Sequence, residues 1–191
     1  MRRQSSIAAL VILAACLASG AAAAREAVVE GVRFAPTVQA GATQLTLNNA
    51  GLLRFRFVIK AYVAALYLGD GVTPAQALGD VPKRLEAEYF WDIDGVDFGP
   101  VTLQGIARNV DAATLEQLRP RIERFGSLFI DVKPGDRYAL TYLPGRGTEV
   151  AHNGRALGVI EGADFAAALF AVWLGPDPLD EDLKTSLLAR R

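Results

Sequence analysis

Three cations on one apolar stretch are the side chains best able to do chemistry in this sequence. Arg54, Arg56 and Lys60 lie within the run RFRFVIK, where every intervening residue is apolar. Burying an unpaired charge is costly, so a cation in such a segment needs a partner. That partner is either an acid or solvent at the end of a strand, or an anionic or enolate oxygen of a ligand in an apolar cleft. The sequence leaves both interpretations open.

Other familiar catalytic groups are poorly placed. His152 is the only histidine and stands directly before the turn residues Asn153-Gly154, so we expect an exposed strand-end side chain and no catalytic base. The chain lacks the His and Cys residues of a zinc site. The loop acids Asp92, Asp94 and Asp97 lack the closing acidic residue of a calcium loop. We therefore expect neither a metal nor a cofactor.

The strands and helices that must position these cations occur in groups along the sequence. Alternating apolar residues predict strands at 27–34, 43–48, 54–68, 85–91, 138–142, 148–152 and 155–160. The segment 54–68 is long, rich in β-branched and aromatic residues, and apolar on both faces. We expect it to form one central strand with a bend or bulge, covered on both sides.

Helices are predicted by caps and apolar stripes between the strands. The predicted helices are a short one at 73–79, then 99–108, 111–125, 164–175 and 180–187. Pro120 should kink or divide the third of these, and Asp164 should cap the fourth. The order strands, helices, strands, helices predicts an α+β fold with an antiparallel sheet.

Residues 1–24 have the pattern of a secretory signal. Arg2 and Arg3 precede the apolar residues 7–13, and small alanines occupy 22–24 before the first later charge, Arg25. The apolar stretch is shorter than the roughly 20 residues of a membrane helix. We expect a periplasmic protein whose single domain spans 25–191. The alternative is that Cys16, the only cysteine, is lipidated and anchors the chain.

The charge balance argues against a nucleic-acid partner. Removing residues 1–24 takes away two arginines and leaves 18 basic against 21 acidic residues, a net charge near −3. A nucleic-acid-binding surface would need a basic excess.

Several motifs, in order, resemble the chalcone isomerase-like family, and its bacterial exported branch in particular. Asn49-Ala50-Gly51 and Arg54 precede the run KAYVAALYL at 60–68. The later matches are YLPGRGTEV at 142–150, Asn153-Gly154, Asp164-Phe165, WLG at 173–175, and the leucines and lysine of 183–188. The resemblance covers residues 26–189.

This resemblance implies a large curved antiparallel sheet covered by a layer of helices, with a cleft between them. It also implies three kinds of relative: plant enzymes that close chalcones to flavanones, plant proteins that bind fatty acids, and bacterial exported members of mostly unassigned role. Binding of a small apolar or amphipathic ligand with an acid or carbonyl end is the function that we expect. The alternative is an intramolecular lyase or isomerase that cyclises an enone.

The resemblance also implies site residues. The family's cleft arginine falls on Arg54, with Arg56 as the second candidate, and its cleft asparagine falls on Asn109. In catalysis Arg54 would stabilise the enolate and Asn109 would orient a substrate hydroxyl. Three further cleft positions carry residues that differ from the enzymes: Tyr62, Thr102 and Arg155. These changes favour binding over cyclisation, and neither function requires a cofactor.

The signal-peptide interpretation predicts a defined mature terminus. Cleavage after Ala24 gives a chain that begins at Arg25 and stays free in the periplasm. N-terminal sequencing of the protein from the envelope fraction measures this directly. A blocked terminus at Cys16, with solubility that depends on detergent, would establish the anchored form instead.

Overall fold

The computed structural model describes residues 25–55 and 59–190. The predicted signal with Cys16, and the candidate Arg56, therefore lie outside the described residues. Among the residues described, no helix is long and apolar enough to cross a membrane.

Seven strands form one curled antiparallel sheet in which every strand pairs with its neighbours along the chain. The sheet strands are β3 (Thr37–Ala40), β4 (Thr43–Phe55), β5 (Ile59–Gly69), β6 (Lys83–Tyr89), β7 (Arg137–Leu143), β8 (Gly147–His152) and β9 (Arg155–Ile160). Two short strands, β1 (Ala27–Val29) and β2 (Val32–Phe34), make a separate hairpin. The predicted α+β fold with a curved antiparallel sheet is confirmed.

Four helices cover one face of the sheet. They are α1 (Phe98–Ala107), α2 (Ala112–Gly126), α3 (Ala163–Leu174) and α4 (Glu181–Leu188), and short 3₁₀ turns occupy Pro74–Gln76 and Gly95–Asp97. Pro120 does not divide α2, which runs on as one helix. Asp164 is not the cap of α3, since Gly162 holds that position and Asp164 instead pairs with Arg121.

The prediction of one strand at 54–68 was wrong. The segment holds the end of β4 and most of β5, two antiparallel strands in which Phe55 pairs with Ile59. The sequence FRFVI at 55–59 contains no Gly, Pro, Asn or Asp to indicate a reversal, and its apolar alternation simply continues. The segment 27–34 was likewise predicted as one strand. Glu30 and Gly31, with φ of 51° and 85°, turn it into the hairpin β1–β2.

Strand β5 is buried on both faces, as predicted. Tyr62, Ala64, Leu66 and Leu68 belong to the inner core beneath the helices. Its alternate residues Val63, Ala65 and Tyr67 belong to an outer core that also contains Ala27, Val32 and Phe34 of the β1–β2 hairpin. The hairpin is therefore the cover for the outer face of the sheet.

An arginine on β7 fastens the hairpin to the sheet. The Arg137 guanidinium donates to Glu88 at 2.7 Å and to Glu86 at 2.8 Å, and its third nitrogen donates to the Arg33 carbonyl at 2.9 Å. The guanidinium also lies 5.1 Å from the ring centroid of Phe34. The forked guanidinium thus has hydrogen-bond acceptors for its N–H groups, and the two carboxylates balance its charge.

Lys83 is the one lysine with no solvent exposure among the residues that the structure describes. Its ammonium donates to the Gly79 carbonyl at 2.6 Å and lies 4.8 Å from the ring centroid of Tyr142 and 5.2 Å from that of Phe170. Burial lowers the pKa of Lys83 from 10.5 to about 8. The folded state therefore disfavours the charged amine.

This depressed pKa predicts a pH-dependent stability. Below about pH 8 the amine is charged in both states, and between about 8 and 10.5 only the unfolded chain holds the proton. Stability must rise with pH across that interval, by about 3 kcal/mol if the whole shift is expressed. Urea unfolding at pH 7.5 to 9.5 should show the lower part of this rise in the unaltered protein. Lys83→Met lacks the titrating amine and should not show the rise. Parallel pH profiles for the two proteins would contradict the assignment.

Candidate functional site

An apolar cavity of about 150 Å³ lies between the inner face of the sheet and the helices. Strand β6 provides its floor through Leu85, Ala87 and Tyr89, which alternate along the strand and so face the same side. Helix α1 and helix α3 provide the opposite wall, with Thr102 and Trp173 among the lining residues.

Aromatic rings dominate the cavity wall. Tyr89 stands at the centre, with ring centroids 5.3 Å from Tyr62, 5.7 Å from Phe98 and 6.3 Å from Tyr138. Phe98 in turn stacks on Phe129 at 4.6 Å. These separations are those of favourable tilted and stacked pairs, so the rings stabilise one another as well as shaping the cavity.

An outer groove of about 870 Å³ adjoins the inner cavity. The two share four lining residues, Tyr62, Ile93, Val101 and Leu179. Trp91 lines the groove with 58% of its surface exposed, and its indole donates to the Lys60 carbonyl at 2.7 Å. The groove and the cavity together form the cleft between sheet and helices.

Two arginines line the groove from opposite elements. Arg54 comes from β4, is 45% exposed, and lies 3.9 Å from the Glu30 carboxylate. Arg108 follows the end of α1, where its backbone amide donates to the Ile106 carbonyl. Its guanidinium makes no ion pair or hydrogen bond with any residue in 25–55 or 59–190. The groove also carries Asp180 and Glu181, so its charge is mixed.

The hydroxyl groups of the cavity differ in how far they are engaged. Tyr138 donates to the Ile130 carbonyl at 3.0 Å and accepts from the Ile130 amide at 2.8 Å. Tyr62 accepts from the Trp173 indole at 2.8 Å and keeps its own proton available. The hydroxyls of Tyr89 and Thr102 have no hydrogen-bond partner among the described residues.

Burial keeps the cavity phenols neutral. It raises the pKa of Tyr62 and of Tyr89 well above the usual value of 10 for tyrosine. At neutral pH both side chains are therefore O–H donors, suited to a carbonyl, carboxylate or hydroxyl oxygen of a ligand.

Three of the predicted site residues come together in the cleft. Arg54 lines the groove, Thr102 lines the inner cavity, and Tyr62 lines both. Tyr62 therefore connects the groove of mixed charge with the apolar cavity.

Asn109 and Arg155 do not join them. The Asn109 amide donates to the carbonyls of Gly105 at 3.0 Å and Asp177 at 2.9 Å, and its oxygen accepts from the Asp177 amide at 3.0 Å. It caps the end of α1 and lines neither the groove nor the cavity, so it is not placed to orient a substrate. Arg155 is an exposed residue on the edge strand β9, away from the cleft.

His152 is less exposed than predicted. Its side chain is 14% exposed and packs 4.9 Å from the ring of its cross-strand neighbour Tyr138, with Nε2 3.6 Å from Asp136. The pairing of β7 with β8 covers it, which the position before a turn did not indicate. It does not line the cavity.

Two cleft residues were missed by the sequence analysis. Tyr89 belongs to the alternating pattern of strand 85–91, which does mark it as facing the same side as Leu85 and Ala87. No sequence pattern marked Arg108 as a cleft residue, because a cation at the end of a helix is most simply explained by its favourable interaction with the helix dipole.

The comparisons with known proteins agree with this architecture. The chain belongs to the chalcone isomerase-like family, whose model matches residues 26–189. The structure is similar to the crystal structure of a fatty-acid binding protein from Arabidopsis thaliana, with a TM-score of 0.69 and 14% sequence identity. That similarity covers 86% of this chain and 96% of the plant protein. No curated protein matches the sequence.

The contacts of Asn109 predict a role in stability. Asn109→Ala removes three hydrogen bonds, of which the one to the Gly105 carbonyl is partly buried and the two to Asp177 are exposed to water, so we expect a loss of about 1–2 kcal/mol in the free energy of unfolding. The matched control is Gln104→Ala, an exposed amide on the same helix, which should change stability little. Urea unfolding of both variants tests this. A stable Asn109→Ala protein that had lost ligand binding would show instead that Asn109 acts in the cleft.

Proposed function

We propose that this protein binds a small amphipathic ligand with an acid or carbonyl end, such as a fatty acid, in the cleft between sheet and helices. The observation that carries the proposal is the joining of a groove that contains two arginines to an apolar cavity through Tyr62. An elongated ligand needs both regions, one for its polar end and one for its apolar part.

The polar end fits the groove. Arg54 and Arg108 line it from the sheet and from α1, and a guanidinium recognises a carboxylate or carbonyl oxygen through charge-assisted hydrogen bonds. Tyr62 adds a neutral phenol, whose oxygen is fixed by Trp173 and whose proton is free to donate. The apolar part would enter the aromatic cavity, where burial from water provides the affinity.

The family and the structural neighbour support this choice. The neighbour is named as a fatty-acid binding protein, and the two proteins share a fold. Enone cyclisation remains the alternative function for Arg54. It has less support, because Asn109 is bound to backbone, and because the resemblance implies that Tyr62 and Thr102 stand where the enzymes carry other residues. We further propose a periplasmic location, for which residues 1–24 are the basis.

Binding of dodecanoic acid tests the role of Arg54. We expect Arg54→Gln to weaken binding by about tenfold, the effect of losing one charge-assisted contact at a partly exposed site. Isothermal titration calorimetry on the domain formed by residues 25–191 measures the change. Arg155→Gln removes the same charge outside the cleft and should bind as the unaltered protein does.

The same two variants would reveal a ligand site that lies outside the cleft. Equal affinities for Arg54→Gln and the unaltered protein, or a loss confined to Arg155→Gln, would contradict the proposed site. Failure of the unaltered protein to bind any straight-chain acid would contradict the proposed ligand class.

A further inference from the structure

We infer that the ligand carries a second, neutral oxygen at its buried end, and that the Tyr89 hydroxyl binds it inside the inner cavity. This inference rests on the proposed function, since it assumes that a ligand occupies the cleft. It adds a ligand-binding residue and narrows the ligand class to an acid whose far end bears a hydroxyl or carbonyl group.

The first support is the isolation of the Tyr89 hydroxyl. Tyr89 is 7% exposed, and its hydroxyl has no hydrogen-bond partner within the described parts of the chain. The oxygen is not among the fully enclosed unpaired atoms of the described residues, which are Thr148 Oγ1 and His152 Nε2, so it is open to space beside it. A phenol that faces an apolar cavity gains from a hydrogen-bonding partner there. Because Tyr89 lines the cavity, a group inside the cavity is what can satisfy it.

Among the tyrosines that line the inner cavity, Tyr89 differs in having a hydroxyl with no hydrogen bond to a described residue. Tyr138 uses its hydroxyl as both donor and acceptor on Ile130, and the Tyr62 oxygen is occupied by the Trp173 indole. A Phe at position 89 would supply the same ring contacts with Tyr62 and Phe98. The hydroxyl of Tyr89 therefore serves no packing role that the structure reveals.

Thr102 places a second free hydroxyl in the same cavity. It is 8% exposed and lies on α1, across the cavity from β6. A helical Thr commonly bonds back to a carbonyl of the preceding turn, yet Thr102 makes no such bond. Two unengaged hydroxyls that line one apolar cavity suit a ligand oxygen that can both donate and accept.

Charge and size decide which end of the ligand enters. The inner cavity has Asp97 and no cation among its lining residues, whereas the groove has Arg54 and Arg108. The acids of the groove are engaged elsewhere, since Asp180 accepts from the Leu183 amide and Glu181 lies 3.4 Å from Lys184. The acid end therefore belongs in the groove and a neutral end in the cavity. At about 150 Å³ the cavity has the size that holds a benzene-sized group, which is the end of a ligand and not its whole length.

The test compares two acids that differ only at the far end, dodecanoic acid and 12-hydroxydodecanoic acid. Their dissociation constants are measured by calorimetry for the unaltered domain and for Tyr89→Phe. We expect Tyr89→Phe to weaken binding of the hydroxy acid about tenfold more than binding of dodecanoic acid, because only the hydroxy acid loses a hydrogen bond. The control, Tyr67→Phe, makes the same chemical change in the outer core and should leave the ratio of the two constants unaltered.

The outcomes separate this inference from the proposed function. If both acids bind and Tyr89→Phe leaves their ratio unchanged, the role of Tyr89 is overturned while the proposed function stands. Binding of dodecanoic acid alone would also overturn the role of Tyr89 and leave the proposed function intact. If neither acid binds to the unaltered domain, the proposed function fails, and the inference fails with it.

Discussion

Burial of β5 on both faces is the constraint on which the rest of the structure depends. From Ala61 to Gly69 the strand has no charged residue, so both sides must be covered by apolar groups. The helices cover the inner side, and the β1–β2 hairpin, held by Arg137, covers the outer side. The cover ends at Ile59 and Lys60, which are exposed. The groove opens at this end of the strand, and Tyr62 is the first buried residue inside it.

Hydrogen bonds within the protein hold several polar groups of the cleft walls in place. Tyr138 holds the backbone at Ile130, and Trp173 holds Tyr62 across the cavity. A close approach at Gly95, where a Cβ would lie 2.7 Å from the Ile130 carbonyl carbon, and the Gly95 amide bonded to Asp131 draw the loop after β6 against the segment after α2. Polar groups that are fixed before a ligand arrives bind it with little loss of entropy. The hydroxyls of Tyr89 and Thr102, which make no such bonds to the described residues, are the groups that the proposed ligand would engage.

The sequence predicted the elements better than their connections. Apolar alternation and the capping residues located most strands and all four helices, because these signals depend on neighbours along the chain. The reversal between β4 and β5 lacks turn residues, and the Glu30-Gly31 turn was predicted as strand, so both hairpins were missed. The site was predicted in part for the same reason. Arg54, Tyr62 and Thr102 face the cleft, whereas the orientation of Asn109 depends on the chain near Asp177, 68 residues away.

The missed hairpin also explains the electrostatics of the groove. Glu30 lies at the β1–β2 turn, and its carboxylate accepts from Lys60 and lies 3.9 Å from Arg54. The contact with Lys60 is a direct hydrogen bond, while the contact with Arg54 is long and partly exposed, so water screens it and its contribution is small. Glu30 therefore remains with Lys60, and Arg54 stays available to an anionic ligand. A cover element that the outer face of β5 requires thus also sets the charge that faces the mouth of the cleft.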